Sequence, residues 1–173
     1  MTNLPVALCR QAEELLALCR ARRLKLATAE SCTGGLIVGC LTEIAGSSDV
    51  VDRGFITYSN AAKAEMLGVP SALIAAHGAV SEPVARAMAE GALAHSNADI
   101  AIAVTGVAGP GGGTASKPVG LVHFGCARRG APTVHVRQVF AGDRSAVRLA
   151  TVARAFELIQ QAAGRDQHGT EHQ

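Results

Sequence analysis

A hydroxyl and a thiol stand side by side in Ala29-Glu30-Ser31-Cys32-Thr33-Gly34-Gly35, between a short apolar stretch (Leu24, Leu26, Ala27) and an apolar helical pattern from Leu36 to Ile44. A serine where a strand hands over to a helix can serve as a nucleophile. The first backbone N–H groups of the helix, unshielded behind two glycines, can hold an anion, a phosphate or an oxyanion. The same residues also describe a plain helix N-cap. Lys63 is the second informative side chain. Asn60-Ala61-Ala62-Lys63 opens another helix, with Ser59 or Asn60 as cap, and sets an ammonium in the first turn, where the dipole is positive. Positive potential and burial both favour the neutral amine, the form a lysine general base needs. A solvated lysine is the uneventful alternative. Tyr58, the one tyrosine, closes the strand before that helix and can offer its hydroxyl to the same pocket, or simply edge the core.

A third feature is the loop Thr105-Gly106-Val107-Ala108-Gly109-Pro110-Gly111-Gly112-Gly113, which follows the buried-looking run Asp99-Ile100-Ala101-Ile102-Ala103-Val104. Glycine-rich exits from such strands are where open α/β sheets bind ligands. Neither G-x-x-x-x-G-K-[ST] nor G-x-G-x-x-G is present, so no nucleotide fingerprint is met. Lys117 and the N–H groups of Gly111, Gly112 and Gly113 can hold a phosphate, or the glycines can serve chain reversal alone. Arg144 and Arg148, four apart on the last helical pattern, make either a second basic face or an ordinary solvated one. His77, His95, His123 and His135 are isolated in sequence and read as structural.

The elements that must position these groups follow from periodicity. Helical spacing covers Pro5 to Arg22, and a short first strand covers Lys25 to Ala29. A helix is expected from Thr33 to Thr42, a strand from Val50 to Tyr58, and helices from Asn60 to about Gly68 and through Pro70 to Ala76. Ser81-Glu82-Pro83 signals the start of a helix that reaches about His95. Strands are expected over Asp99 to Thr105, Val119 to Ala127 and Thr133 to Phe140, the last two antiparallel. Asp143 caps a final helix, and from Gly164 a polar tail should fray. This order predicts a three-layer α/β/α sandwich with a mixed sheet, a single domain over residues 1–164 followed by a tail over 165–173.

Composition narrows the function classes. With 49% hydrophobic and 17% charged residues, a chain of 173 residues can build an ordinary core and is not disordered. A net charge of +2, 3% aromatics and no tryptophan give nucleic acid little to bind. The five cysteines form no C-x-x-C pair and no H-E-x-x-H occurs, which argues for reduced thiols in a cytoplasm and against a metal site. Arg10, Glu13 and Glu14 interrupt any signal-peptide core, and no run approaches the roughly 20 apolar residues of a membrane span.

Taken together, Ala29 to Gly35, Gly54-Phe55-Ile56-Thr57-Tyr58-Ser59-Asn60-Ala61-Ala62-Lys63, Val80-Ser81-Glu82, Thr105 to Gly112 and Lys117-Pro118-Val119-Gly120 resemble the CinA C-terminal domain family, in order, from about Arg10 to Ala162. That family includes the nicotinamide-nucleotide amidohydrolases, which convert nicotinamide mononucleotide (NMN) and water to nicotinate mononucleotide and ammonia. The resemblance implies Ser31 as nucleophile, Lys63 as its base and Tyr58 as assistant, with no metal and no cofactor. It assigns the Thr105 to Gly113 loop to the substrate site, and it suggests a homodimer. The N–H groups around Thr33, Gly34 and Gly35 would hold the oxyanion, while Lys117, Arg144, Arg148 and the loop all compete for the phosphate. The sequence resembles the stand-alone form of the family, without the nucleotide-hydrolase-like domain of longer members, so no pyrophosphatase activity is expected. A non-catalytic nucleotide-binding module and a serine amidase for another carboxamide are the competing readings.

Overall fold

The structure, a computed structural model, describes residues 3–165. Five strands form one sheet in the order β2-β1-β3-β4-β5. β1 (Leu26–Glu30) lies parallel to β2 (Val51–Ile56) and to β3 (Ile100–Gly106). β4 (Leu121–Arg128) and β5 (Val134–Val139) complete it antiparallel, as the two-strand pattern predicts. The helices are α1 (Val6–Ala21), α2 (Leu36–Thr42), α3 (Asn60–Leu67), α4 (Ser71–His77), α5 (Glu82–Ala94) and α6 (Arg144–Gly164). The architecture is the expected three-layer sandwich with a mixed sheet. Of the polar tail, residues 166–173 lie outside the described residues.

Strand alternation assigns side chains to the two layers. Leu26, Ile100, Ile102, Val104, Val122 and Phe124 pack with α1, α2 and α6, whereas Ala27, Ala29, Ala101 and Ala103 pack with α3, α4 and α5. The alanines on the second face let α5 settle close to the sheet. At Gly125 the approach is closest, for a Cβ there would lie 2.3 Å from the Ala85 carbonyl oxygen.

Local signals decided several boundaries. Ser59 caps α3, its Oγ accepting the Ala62 N–H at 3.0 Å, and Asp143 caps α6 through the Ala146 N–H at 2.9 Å. Ser81 precedes α5 but does not cap it; its hydroxyl donates to the Gly78 carbonyl at 2.8 Å. The helix expected from Thr33 begins only at Leu36. Gly34 and Gly35 adopt positive φ of 58° and 104°, a backbone that carries the chain around a corner before it can wind.

Candidate functional site

Ser31 follows β1 and extends its ladder by one residue, its N–H donating to the Val104 carbonyl at 3.1 Å. Alternation then sends Glu30 and Ser31 to opposite faces. Glu30, fully buried, turns toward α2; Ser31 opens on the α3 side, in a cleft of about 230 Å³ at the C-terminal ends of β1 and β3.

Lys63 reaches that cleft from α3 and is 1% exposed. Its Nζ lies 3.0 Å from Ser31 Oγ, 2.8 Å from the Thr57 carbonyl oxygen and 3.4 Å from that of Tyr58. Burial pushes the Lys63 ammonium below its ordinary pKa, against a smaller opposing influence of the Cys32 thiol. Nζ donates to all three oxygens, the serine hydroxyl and the two carbonyls; once it has lost a proton, two N–H groups can stay on the carbonyls while the lone pair faces the serine hydroxyl. Cys32 also lines the cleft, yet burial raises its thiol to about 11, so it is protonated and a poor nucleophile at neutral pH.

Around this pair the cleft is lined by Tyr58, Asn60, Thr105, Gly106, Ala108 and Arg144. Tyr58 meets Lys63 through its carbonyl, not its hydroxyl. The ring is 62% exposed at the rim, and its Oη accepts from Arg144 Nη2 at 3.2 Å. Arg144 also donates through Nη1 to the Gly109 carbonyl at 2.8 Å, tying the glycine loop to α6. The Thr105 hydroxyl donates to the Ala79 carbonyl at 2.9 Å.

Several sequence candidates lie elsewhere. Thr33 is fully buried behind the corner, where its hydroxyl donates to Glu30 Oε1 at 2.7 Å. Gly34 and Gly35 form the turn and do not line the cleft, and neither do Gly109, Gly111, Gly112, Gly113 or Lys117. Lys117 donates to the His77 carbonyl at 2.8 Å, pinning the far end of the loop to α4. The helix end is not open either. Glu30 accepts the N–H groups of Ile37 at 2.9 Å and Val38 at 3.0 Å, with the Thr28 hydroxyl at 3.1 Å. The capping group of α2 is therefore this carboxylate, reached from within the strand, and neither Ser31 nor Thr33.

Glu30, the place of Asn60 in the cleft and the backbone role of Arg148 were not singled out by the sequence. A carboxylate inside an apolar strand, one residue before the serine, was the available signal for Glu30. Arg148 sits one turn below Arg144 and does not face the cleft; it donates to the carbonyls of Cys32 at 3.1 Å and Thr33 at 2.9 Å. His123 and His135, read as isolated, form a pair. The β4–β5 register brings Nδ1 and Nε2 to 2.9 Å, and burial, reinforced by the neighbouring ring, lowers His123 to about 4. They lie outside the cleft. Among the described residues no group of three His, Cys, Asp or Glu side chains is arranged to hold a metal ion, and no helix is long and apolar enough to cross a membrane.

Comparison with known proteins matches residues 9–163 to the model of the CinA C-terminal domain. The chain is 52% identical over 136 residues to nicotinamide-nucleotide amidohydrolase PncC of Enterobacter agglomerans, covering 79% of this chain and 83% of that protein. It is 56% identical over 138 residues to a CinA-like protein of Mycobacterium sp. (strain JLS), covering 79% of this chain and 32% of the relative, so it spans about a third of such longer proteins. Among solved structures, the competence/damage inducible protein CihA of Agrobacterium tumefaciens superposes with a TM-score of 0.91 at 48% identity, covering 95% of this chain and 100% of that one.

Proposed function

The chain belongs to the CinA C-terminal domain family, and on that premise we propose that it is a nicotinamide-nucleotide amidohydrolase, hydrolysing the carboxamide of NMN by a serine–lysine acyl-enzyme route in the recycling of pyridine nucleotides. The observation that carries the reading is the buried Lys63 amine 3.0 Å from Ser31 Oγ at the end of a parallel strand. The amidohydrolase name of a relative 52% identical supports the reaction class.

In this reading neutral Lys63 takes the proton of Ser31 as Oγ attacks the carboxamide carbon. The resulting ammonium, held by the Thr57 and Tyr58 carbonyls, gives that proton to the departing nitrogen, and ammonia leaves. Water then attacks the acyl-serine; Lys63 accepts one of its protons and returns it to Oγ as the carboxylic acid leaves and gives its remaining proton to solvent. Arg144 and the exposed Tyr58 ring form the wall available to the nucleotide.

Replacing Ser31 with Ala should lower ammonia release from NMN by at least about a thousandfold, as for loss of other activated nucleophiles, while the thermal unfolding curve stays in place. Wild-type-like turnover by that variant would end the proposal. A panel of NMN, NAD, nicotinamide and glutamine separates this reading from an amidase for another carboxamide. No ammonia from any of them would favour a binding module.

A further inference from the structure

We infer that Arg148 is the positioning residue of the oxyanion site, acting through the carbonyls of Cys32 and Thr33; the inference rests on the reading of Ser31 as nucleophile. The N–H of Ser31 is taken by Val104, that of Gly34 by the Ser31 carbonyl and that of Leu36 by the Thr33 carbonyl. Those of Ile37 and Val38 are taken by Glu30. In this stretch the amides of Thr33 and Gly35 are left without an acceptor among the described residues, while that of Cys32 lies against its own thiol. The helix terminus cannot hold an oxyanion, because its donors are occupied from inside. The task falls to the corner itself.

What aims a corner amide is the carbonyl across the same peptide bond. In a planar trans peptide the C=O of one residue and the N–H of the next point in opposite directions. Arg148 Nε binds the Cys32 carbonyl at 3.1 Å and Nη2 the Thr33 carbonyl at 2.9 Å, both from α6. α6 packs on the face of the sheet away from α3 and α5. Drawing the Cys32 carbonyl toward α6 turns the Thr33 N–H away from it, to the side that carries Lys63. The cation does a second thing: a charge-assisted hydrogen bond to a carbonyl polarises the whole amide and strengthens the donor at its other end. The planar fork of arginine matches two carbonyls on consecutive residues, which a lysine point charge cannot do. The guanidinium also lies over Gly34, with Nη2 3.7 Å from where a Cβ would stand.

The test uses Arg148→Met and Arg148→Lys in the full chain. With NMN, the Met variant should lose on the order of ten- to a hundredfold in kcat, somewhat less than outright loss of an oxyanion donor. KM should stay within about twofold, since the interaction is made in the transition state. The Lys variant should fall between the two. In ¹⁵N-labelled protein without substrate, the amide resonances of Thr33 and Gly34, across the peptide bonds whose carbonyls Arg148 holds, should move or broaden, whereas those of Ile37 and Val38, held by Glu30, should not. A raised KM with unchanged kcat would mean that Arg148 grips the substrate and would overturn the inference. So would unmoved Thr33 and Gly34 resonances. If the Met variant does not fold, the Lys variant carries the same two readouts. Absence of ammonia release from NMN by the wild-type protein defeats the proposed reaction, and the amide resonances still decide whether Arg148 aims the corner.

Discussion

On one side of the cleft, the corner from Ser31 to Gly35 is tied from both directions, by the Glu30 carboxylate toward α2 and by the Arg148 guanidinium from α6. On the other side, the glycine loop after Thr105 is exposed from Pro110 to Ser116, and side chains tie it to its surroundings at its two ends, Arg144 at Gly109 and Lys117 at His77. Bond-making needs atoms placed to within a fraction of an ångström, and buried, matched polar groups provide that. Holding a nucleotide tolerates more motion, and an exposed loop with few ties has it. In the proposed reaction the tied corner would serve the chemistry, and the looser side, where Arg144 reaches the cleft, would serve capture.

That division is open to attack from the stiff side first. Lys63→Met removes the base while keeping most of the side chain's volume, and ammonia release should drop by about a thousandfold or more. In the proposed mechanism the active amine is the neutral one. Activity should therefore rise with pH along a limb whose midpoint lies below the ordinary 10.5 of lysine, because burial has depressed the group. A limb at the ordinary value, or a Met variant with ordinary turnover, would show that Lys63 is not the base. Glu30→Gln should act mainly on stability. The amide nitrogen would have to face the N–H groups of Ile37 or Val38, and an unsatisfied buried group of this kind costs about 1–3 kcal/mol. Urea unfolding reads this directly, and no loss of stability would mean that the corner is not held from below. On the loose side, Arg144→Met should raise KM by roughly tenfold and leave the unfolding midpoint almost unchanged, as expected of an exposed group that contacts substrate in ground and transition state alike. A fall in kcat with KM intact would move Arg144 from capture to chemistry.

The layered fold was legible because its signals are local: three apolar strand runs before the glycine loop, a two-strand antiparallel pattern after it, the Asp143 cap, and an α3 cap narrowed to Ser59 or Asn60, which Ser59 fills. Lys63 was legible for a similar reason, since a lysine near a helix start is odd in sequence alone. That it meets Ser31, 32 positions away, is a tertiary fact. The start of α2 was misjudged because two glycines with positive φ delay the helix and the cap comes from a residue six before its first turn. The role of Arg148 was out of reach for a stronger reason. Its partners are backbone carbonyls 116 and 115 positions away, and a carbonyl carries no sequence signature. The glycines at 111 to 113 suggested a phosphate nest by their type, and they stand outside the residues that line the cleft.

The alternation of β1 has a consequence for how this protein can change. Glu30 and Ser31 are adjacent letters that serve different layers, one the scaffold under α2 and the other the pocket before α3. Substitutions at Asn60, Ala79, Val80 or Ala108 can reshape the cleft without disturbing the bonds that keep the corner after Glu30 in place. A single inserted or deleted residue in β1 would do the reverse, sending the carboxylate into the pocket and the hydroxyl under the helix. The strand thus leaves substrate choice free to drift while making its own reading frame in space almost unalterable.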